Sequence, residues 1–279
     1  RIMEAKVDRE RQEITRGGKV TSVRPFPISI DFEEHNVWAR TKTTEMEMER
    51  WRRALGLRES LLGIAIDRLD YTKGICERLL ALDRFLEKYP HYRKRLVFVQ
   101  IGVPSRSSIP EYELLEKRVD KLVAEINRKY QKWPGLGWRP IIFFKRHFSQ
   151  RHLTAFHRLA RFCMVSSLHD GMNLVAKEYV ASRFDEDGVL ILSDFAGASR
   201  ELTDALVVNP FSEEETVEAI RQALEMPAEE RRRRMQKMRS VVGENNVYRW
   251  AGKIVSALLK FEFSASDETN ESVTVSESS

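Results

Sequence analysis

Six short apolar runs, each followed by a segment of helical periodicity, constrain this chain more than any other feature. The runs are SLLGIAIDRL (60–69), RLVFVQIGV (95–103), IIFFK (141–145), FCMVSS (162–167), GVLILSD (188–194) and ALVVNP (205–210). They are apolar throughout, not apolar at every second residue. Strands of that kind are buried on both faces, as in a parallel sheet. The intervening helices are expected over Ile75–Tyr89, Tyr112–Tyr130, Gln150–Ala160, Gly171–Ser182 and Ala198–Leu202. Three more follow, over Ser212–Met226, Ala228–Gly243 and Val247–Phe261. In the first of these, Ile75, Leu79, Leu82, Phe85 and Leu86 recur at helix spacing, and Pro90 stops it. The fold class that results is α/β: a Rossmann-like, doubly wound parallel sheet. Ligands of such sheets lie beyond the carboxyl ends of the strands. The loops after Ile66, Ile101, Phe144, Val165, Leu192 and Val208 are therefore where chemistry is expected.

The flanks read differently. Arg1–Lys19 is charged, with helix or hairpin character and no clear core. Residues 20–31 give a short strand pattern at Val20, Val23, Phe26 and Ile28, interrupted by Pro25 and Pro27, which suits an edge or a crossing linker. A polar helix is expected from Thr44 to Leu55. The division expected is 1–31 as crossover, 32–263 as the Rossmann-like domain, and 264–279 as a disordered Ser/Thr/Glu-rich tail.

Several function classes fall away. No apolar run approaches the roughly 20 residues that span a bilayer. The charged start lacks the apolar centre of a signal peptide, so no membrane partner and a cytoplasmic location are expected. Cys76 and Cys163 read as buried thiols. His147, His152 and His157 have no cysteine partner at zinc spacing, so no metal is expected. The net charge is +5, but acidic and basic residues interleave, and the densest run, Arg231–Arg234, follows a Glu pair in a helical pattern. That favours a solvated helix face over nucleic-acid binding. Asp185–Glu186–Asp187 resembles a metal-binding DxD triplet but sits in a polar helix-to-strand loop. There is no GxxxxGK[ST] motif.

Three strand–loop–helix joints carry chemistry. In DRLDYTKG (67–74), Arg68 and Lys73 follow the first strand, and Gly74 opens a helix. Two cations at one corner can hold a diphosphate, Arg as a planar fork and Lys as a point charge; the alternative is a surface salt-bridge corner with Asp67 and Asp70. In HDGMNLVAKEY (169–179), Gly171 permits close backbone approach, and the first helical turn offers an anion site. Glu178 can accept from the two hydroxyls of a ribose. The alternative is a helix capped by Asp170, with Glu178 solvated. In DFAGASREL (194–202), Gly197 and Ala198 admit either a ligand or a packed turn.

Taken together, DRLDYTKG, VPSR (103–106), HDGMNLVAKEY, SDFAGASREL (193–202) and Asn209–Pro210 resemble the trehalose-6-phosphate synthase family from about Arg24 to about Phe261. DGMNLVAKE at a strand–helix joint is the most specific of these. The resemblance implies a retaining GT-B glycosyltransferase with two Rossmann-like domains facing across a cleft. It implies transfer of glucose from UDP-glucose to glucose 6-phosphate, with no metal or other cofactor. This chain would be the carboxy-terminal, donor-binding domain.

The same resemblance implies roles. Arg68 and Lys73 match the pair that holds the donor diphosphate, and Asp170 the acid that orients the transferred sugar. Gly171, Met172, Asn173 and Leu174 match backbone that meets sugar and phosphate. Glu178 matches the ribose ligand, Phe148 falls at the uracil, and Arg106 matches an arginine that reaches the acceptor phosphate. His169 stands where the family usually has Arg, and Gln150 near a position that is Arg in some members. Nothing in the chain matches the family's amino-terminal domain, a missing partner that carries most of the acceptor site. Val20–Ile30 would be the last strand of that domain and the crossover, and the final helix would reach back toward it; part of Arg1–Lys19 would have lost its partner surface, leaving some apolar area exposed. The fragment alone is expected to be inactive. The alternatives are a glucosylglycerol-phosphate synthase, which shares the donor motifs, and a non-catalytic nucleotide-sugar-binding module. A homo-oligomer is compatible with the sequence.

Overall fold

Leucine, isoleucine, valine and phenylalanine fill both faces of the strands, and the sheet they make is covered on both sides. The computed structural model describes residues 5–57, 60–105, 109–131 and 137–260. Arg106 and the expected tail, 264–279, lie outside the described residues.

The central sheet contains β4 (Leu61–Arg68), β5 (Leu96–Val103), β6 (Ile141–Phe144), β7 (Phe162–Val165), β8 (Val189–Ser193) and β9 (Leu206–Val208), in the order β6-β5-β4-β7-β8-β9. Every pairing in it is parallel. From β4 the chain winds outward to β5 and β6, then returns to add β7, β8 and β9 on the other side. β4 and β7 therefore flank the topological switch point, where a crevice opens at the strand ends. One apolar layer joins α3 (Ile75–Lys88), α4 (Pro110–Tyr130) and α7 (Glu213–Glu225) to one face. The other face carries α1 (Phe32–Ala39), α2 (Lys42–Ala54), α5 (Gln150–Leu159), α6 (Leu174–Ser182) and α8 (Ala228–Glu244). No described helix is long and apolar enough to cross a membrane.

The expected strands and helices recur within a few residues, with three corrections. First, α6 begins at Leu174, not Gly171, and its N-cap is Asn173, whose Oδ1 accepts from the Ala176 amide at 3.2 Å. Second, the strand expected over 20–31 covers only Lys19–Ser22 (β3), and no strand continues into Pro25 and Pro27, which lack the amide a ladder needs. It pairs with β2 (Glu13–Arg16), which pairs with β1 (Lys6–Asp8), in a separate antiparallel sheet. Gly17 and Gly18 form the two-residue turn between β2 and β3, both at positive φ, as the twist of a tight hairpin requires. Third, α1 is a helix the periodicity did not announce. Its polar sequence, FEEHNVWA, buries only His35 and Ala39.

The last helix, α9 (Val247–Leu258), has no buried residue. Tyr248, Val255, Leu258 and the following Leu259 are all exposed.

Candidate functional site

The corner after β4 is built around a buried guanidinium. Arg78 sits on the apolar stripe of α3 and is fully buried. Its Nη1 donates to Asp67 Oδ2 at 2.6 Å and Gln100 Oε1 at 2.7 Å, and its Nε donates to Ser166 Oγ at 2.9 Å. Its Nη2 donates to the Lys73 carbonyl at 3.2 Å. One side chain thus ties β4, β5, the loop after β7 and the turn that carries Lys73. Sequence reasoning missed it, although a charge on an apolar helical stripe is a readable signal.

Asp70 caps the 3-10 turn Tyr71–Lys73 by accepting from the Thr72 amide at 2.9 Å and its hydroxyl at 2.7 Å. Gly74 then turns left-handed at φ +61, where a Cβ would lie 2.2 Å from the Ser166 carbonyl oxygen. No other residue fits there. With Asp67 given to Arg78 and Asp70 to the turn, the surface salt-bridge corner is corrected. Lys73 pairs across the switch point instead, its Nζ 2.6 Å from Asp170 Oδ2.

Asp170 is set by its own loop. Asn173 Nδ2 donates to Oδ2 at 3.1 Å and the Met172 amide to Oδ1 at 3.3 Å, with Ser167 Oγ at 3.4 Å. Burial pushes the Asp170 carboxyl up, but the Lys73 hydrogen bond and charge outweigh it, aided by Met172 and Asn173, and hold the group below its ordinary range. Asp170 therefore does not cap α6. It lies in an isolated parallel bridge with Ala196. Asn173 takes the cap at φ +76, a strained setting for a non-glycine residue.

The third joint packs against the second. Gly197 N donates to the Asp170 carbonyl at 3.0 Å and Ala198 N to the Met172 carbonyl at 2.8 Å. A Cβ on Gly197 would lie 2.1 Å from the Gly171 carbonyl oxygen, so this glycine serves packing. Gly171 is the opposite case. Its φ is ordinary, and a Cβ there would meet no protein atom within 4 Å. The protein's own packing does not require glycine at that position.

Several polar groups at this end are left without a full set of protein partners among the described residues. Arg68 is exposed at the end of β4, with no hydrogen bond or ion pair to a described residue. Glu178 is half-buried on α6, also without such a bond, and burial raises its carboxyl above the ordinary value. It is not the solvated glutamate of the alternative reading. The amides of Leu174 and Val175, in the first turn of α6, lack intrahelical partners, as at any helix start. Lys73 has three ammonium protons and gives one to Asp170. Together these groups can receive an anion carrying hydroxyls.

Phe148 lies elsewhere. It packs beyond β6 in an aromatic cluster, with ring centroids 5.7 Å from Trp51, 5.4 Å from Phe144 and 5.6 Å from Phe156. β6 is two strands from β4, an offset of about 10 Å at ~4.8 Å per strand. Gln150 Nε2 points to His35 Nδ1 at 3.3 Å. Cys76 and Cys163 are buried thiols, as expected. Among the described residues, no group of three His, Cys, Asp or Glu side chains could hold a metal ion.

The model of glycosyltransferase family 20 matches residues 1–260. A bifunctional trehalose-6-phosphate synthase/phosphatase of Thermoproteus tenax is 40% identical over 243 residues, 87% of this chain and 33% of its own length. Among solved structures, an alpha,alpha-trehalose-phosphate synthase (UDP-forming) from Burkholderia xenovorans in complex with glucose-6-phosphate is similar at TM-score 0.83 and 34% identity, over 88% of this chain and 54% of that one. An E. coli trehalose-6-phosphate structure bound with UDP-2-fluoro glucose gives TM-score 0.84 and 33% identity, over 94% and 57%. This chain thus spans a third of the first relative and little more than half of the two structures. The fold is the α/β arrangement of these GT-B neighbours, and with the family model matching nearly its whole length, the chain belongs to glycosyltransferase family 20.

Proposed function

We propose that this chain is the donor side of a retaining glucosyltransferase. It binds UDP-glucose, and the whole enzyme passes glucose to glucose 6-phosphate, giving trehalose 6-phosphate and UDP. The observation that carries the reading is the Lys73–Asp170 contact over the switch point, joining the turn that follows Arg68 and β4 to the loop that leads into α6. Cations and helix amides at one nook suit a diphosphate. The half-buried Glu178 suits a ribose diol, whose hydroxyls would satisfy a carboxylate the protein leaves unbonded. The bare face of Gly171 leaves room for the sugar. Phe148, about 10 Å across the sheet, is assigned the uracil end, and Arg106 the acceptor phosphate.

In this mechanism the acceptor hydroxyl enters on the face from which UDP departs, and no protein nucleophile takes part. Arg68, Lys73 and the α6 amides stabilise the charge that grows on the diphosphate, the part a metal ion takes in other transferases. Asp170 orients the sugar hydroxyls and keeps Lys73 in place. The chain alone is assigned binding without turnover.

Calorimetric titration of the folded chain with UDP and UDP-glucose tests the reading. Saturable binding of both is expected, and no heat at millimolar ligand would refute it.

A further inference from the structure

Of the two charged residues of α6, Lys177 and Glu178, it is Lys177 whose charge is completely enclosed. Its side chain is 0% exposed. Its Nζ donates to Glu201 Oε2 at 2.8 Å and to the Ile28 carbonyl at 3.0 Å. A buried ion pair of this kind contributes little net stability compared with apolar residues of the same volume; its best-attested use is to fix register. What it registers here can be traced through the hydrogen bonds.

Glu201 directly follows the short helix Gly197–Arg200. Two amides of that helix hold the carbonyls of Asp170 and Met172. On the other side, Ile28 belongs to the chain entering α1. That chain is fixed by the Val247 amide on the Ile30 carbonyl at 2.9 Å and by Trp250 Nε1 on the Phe26 carbonyl at 3.0 Å. A single ammonium therefore joins the loop that backs Asp170 to a segment anchored on α9. The helix bearing Lys177 is held independently, because Ala176, Tyr179 and Val180 are fully buried in the core.

We infer that Lys177 is a positioning residue: its ammonium locks the Gly197–Glu201 segment against the chain at Ile28 and so fixes the sugar-facing side of the nook. The inference rests on the donor reading above for what the nook holds. Losing the lock frees the segment behind Asp170 but leaves α6, and with it Glu178, in place. The effect therefore falls chiefly on the sugar, because Glu178 and the α6 amides that meet the nucleotide stay in place and the Lys73–Asp170 ion pair need not break, whereas a general loss of stability would weaken both ligands alike.

The test compares wild type, Lys177→Met, Lys177→Arg and Glu201→Gln by titration with UDP and with UDP-glucose, and by amide hydrogen exchange without ligand. Lys177→Met should bind UDP within about 3-fold of wild type and UDP-glucose about 10-fold more weakly. Exchange should rise at residues 197–202 and 26–30 while α6 stays protected. Glu201→Gln, which keeps an acceptor for the ammonium, should fall between, and it replaces Lys177→Met if that variant fails to fold. Lys177→Arg should recover part of the UDP-glucose affinity. Equal weakening of both ligands overturns the positioning role. Unchanged exchange in Lys177→Met overturns the lock whatever the ligand data show. If wild type binds neither ligand, the donor reading fails, and the exchange data alone decide the lock.

Discussion

The two ends of the central sheet use the same kinds of residues in opposite ways. At the amino-terminal end of β8, Asp185, Glu186 and Asp187 meet side chains of α5 and α8 and of Arg183, just past α6. Asp185 Oδ1 lies 3.0 Å from Arg183 Nε, and Asp187 Oδ1 lies 3.2 Å from Arg161 and 2.5 Å from Arg231. Glu186 accepts from Gln236 at 2.8 Å. The run Arg231–Arg234 is likewise engaged, with Arg233 and Arg234 on Glu230. Apart from the exposed Arg232, each of these charges has a protein partner, so little remains to recruit a ligand. At the carboxyl end, Arg68 and Glu178 have no bond to a described residue, and Lys73 spends one proton of three. A charge left without a partner where the chain could have supplied one marks a place for a ligand. This contrast separates the DxD-like triplet from the donor nook more sharply than either motif does.

The contrast can be broken by substitution, and the largest effect is expected at the neutralised end. Arg183 is buried and donates to the carbonyls of His157, Arg158 and Ala160. Arg183→Ala should cost about 3 kcal/mol. That is a fall in Tm of roughly 6–12 °C, with UDP affinity unchanged in the folded protein. A calorimetric scan with a UDP titration would show both.

At the open end the effects move from stability to binding. Lys73→Ala should weaken UDP about 100-fold. It should also destabilise the chain at neutral pH, because the Asp170 carboxylate loses its counter-ion. The pH sense follows from the lowered Asp170 carboxyl. In wild type its contribution is complete above the ordinary carboxylate value of 3.8 and is lost as pH falls through the lower folded value. The stability gap between wild type and Lys73→Ala should therefore narrow on acidification. Arg68→Ala should weaken UDP about 10-fold, with Tm unchanged to about 1 °C, since the exposed side chain loses only a screened attraction to Asp70. If Arg68→Ala melts like Arg183→Ala and binds UDP normally, the distinction between the two ends fails.

The smallest effect has the opposite sign. Burial raises the Glu178 carboxyl above 4.5, so the folded chain favours the protonated form, and the carboxylate costs stability above the folded value. Glu178→Gln should melt roughly 2–4 °C higher at pH 7, the gain vanishing below about pH 4, while UDP binds more weakly. A lower Tm at pH 7 would show that Glu178 is satisfied within the protein.

Much of this was legible in the residues. Continuous apolar runs placed the strands to within a few residues, because only a doubly covered sheet buries such runs. Arg68 and Lys73 could be singled out because they follow a strand end, and Glu178 because it lies in the helix after the next joint, whereas Asp170 reads locally as a helix cap and only the family resemblance gave it a role. The start of α6 was misplaced because Gly171 and Met172 look like a first turn, while the actual cap needs Asn173 in the left-handed region, which no periodicity reveals. α1 was missed because its sequence lacks an apolar stripe. Arg78 and Lys177 escaped because each acts through partners far along the chain: Arg78 through Ser166, 88 positions away, and Lys177 through Ile28, 149 positions away.

By itself, then, the sequence determined the layering of the chain and which strand ends carry polar groups, since hydrophobic burial and turn chemistry act over a few neighbouring residues. Which charges cancel and which stay open was decided by tertiary structure alone. Lys73 meets Asp170 rather than Asp67 or Asp70 because the winding places β4 beside β7, bringing together groups 97 residues apart, a proximity that no local interaction encodes.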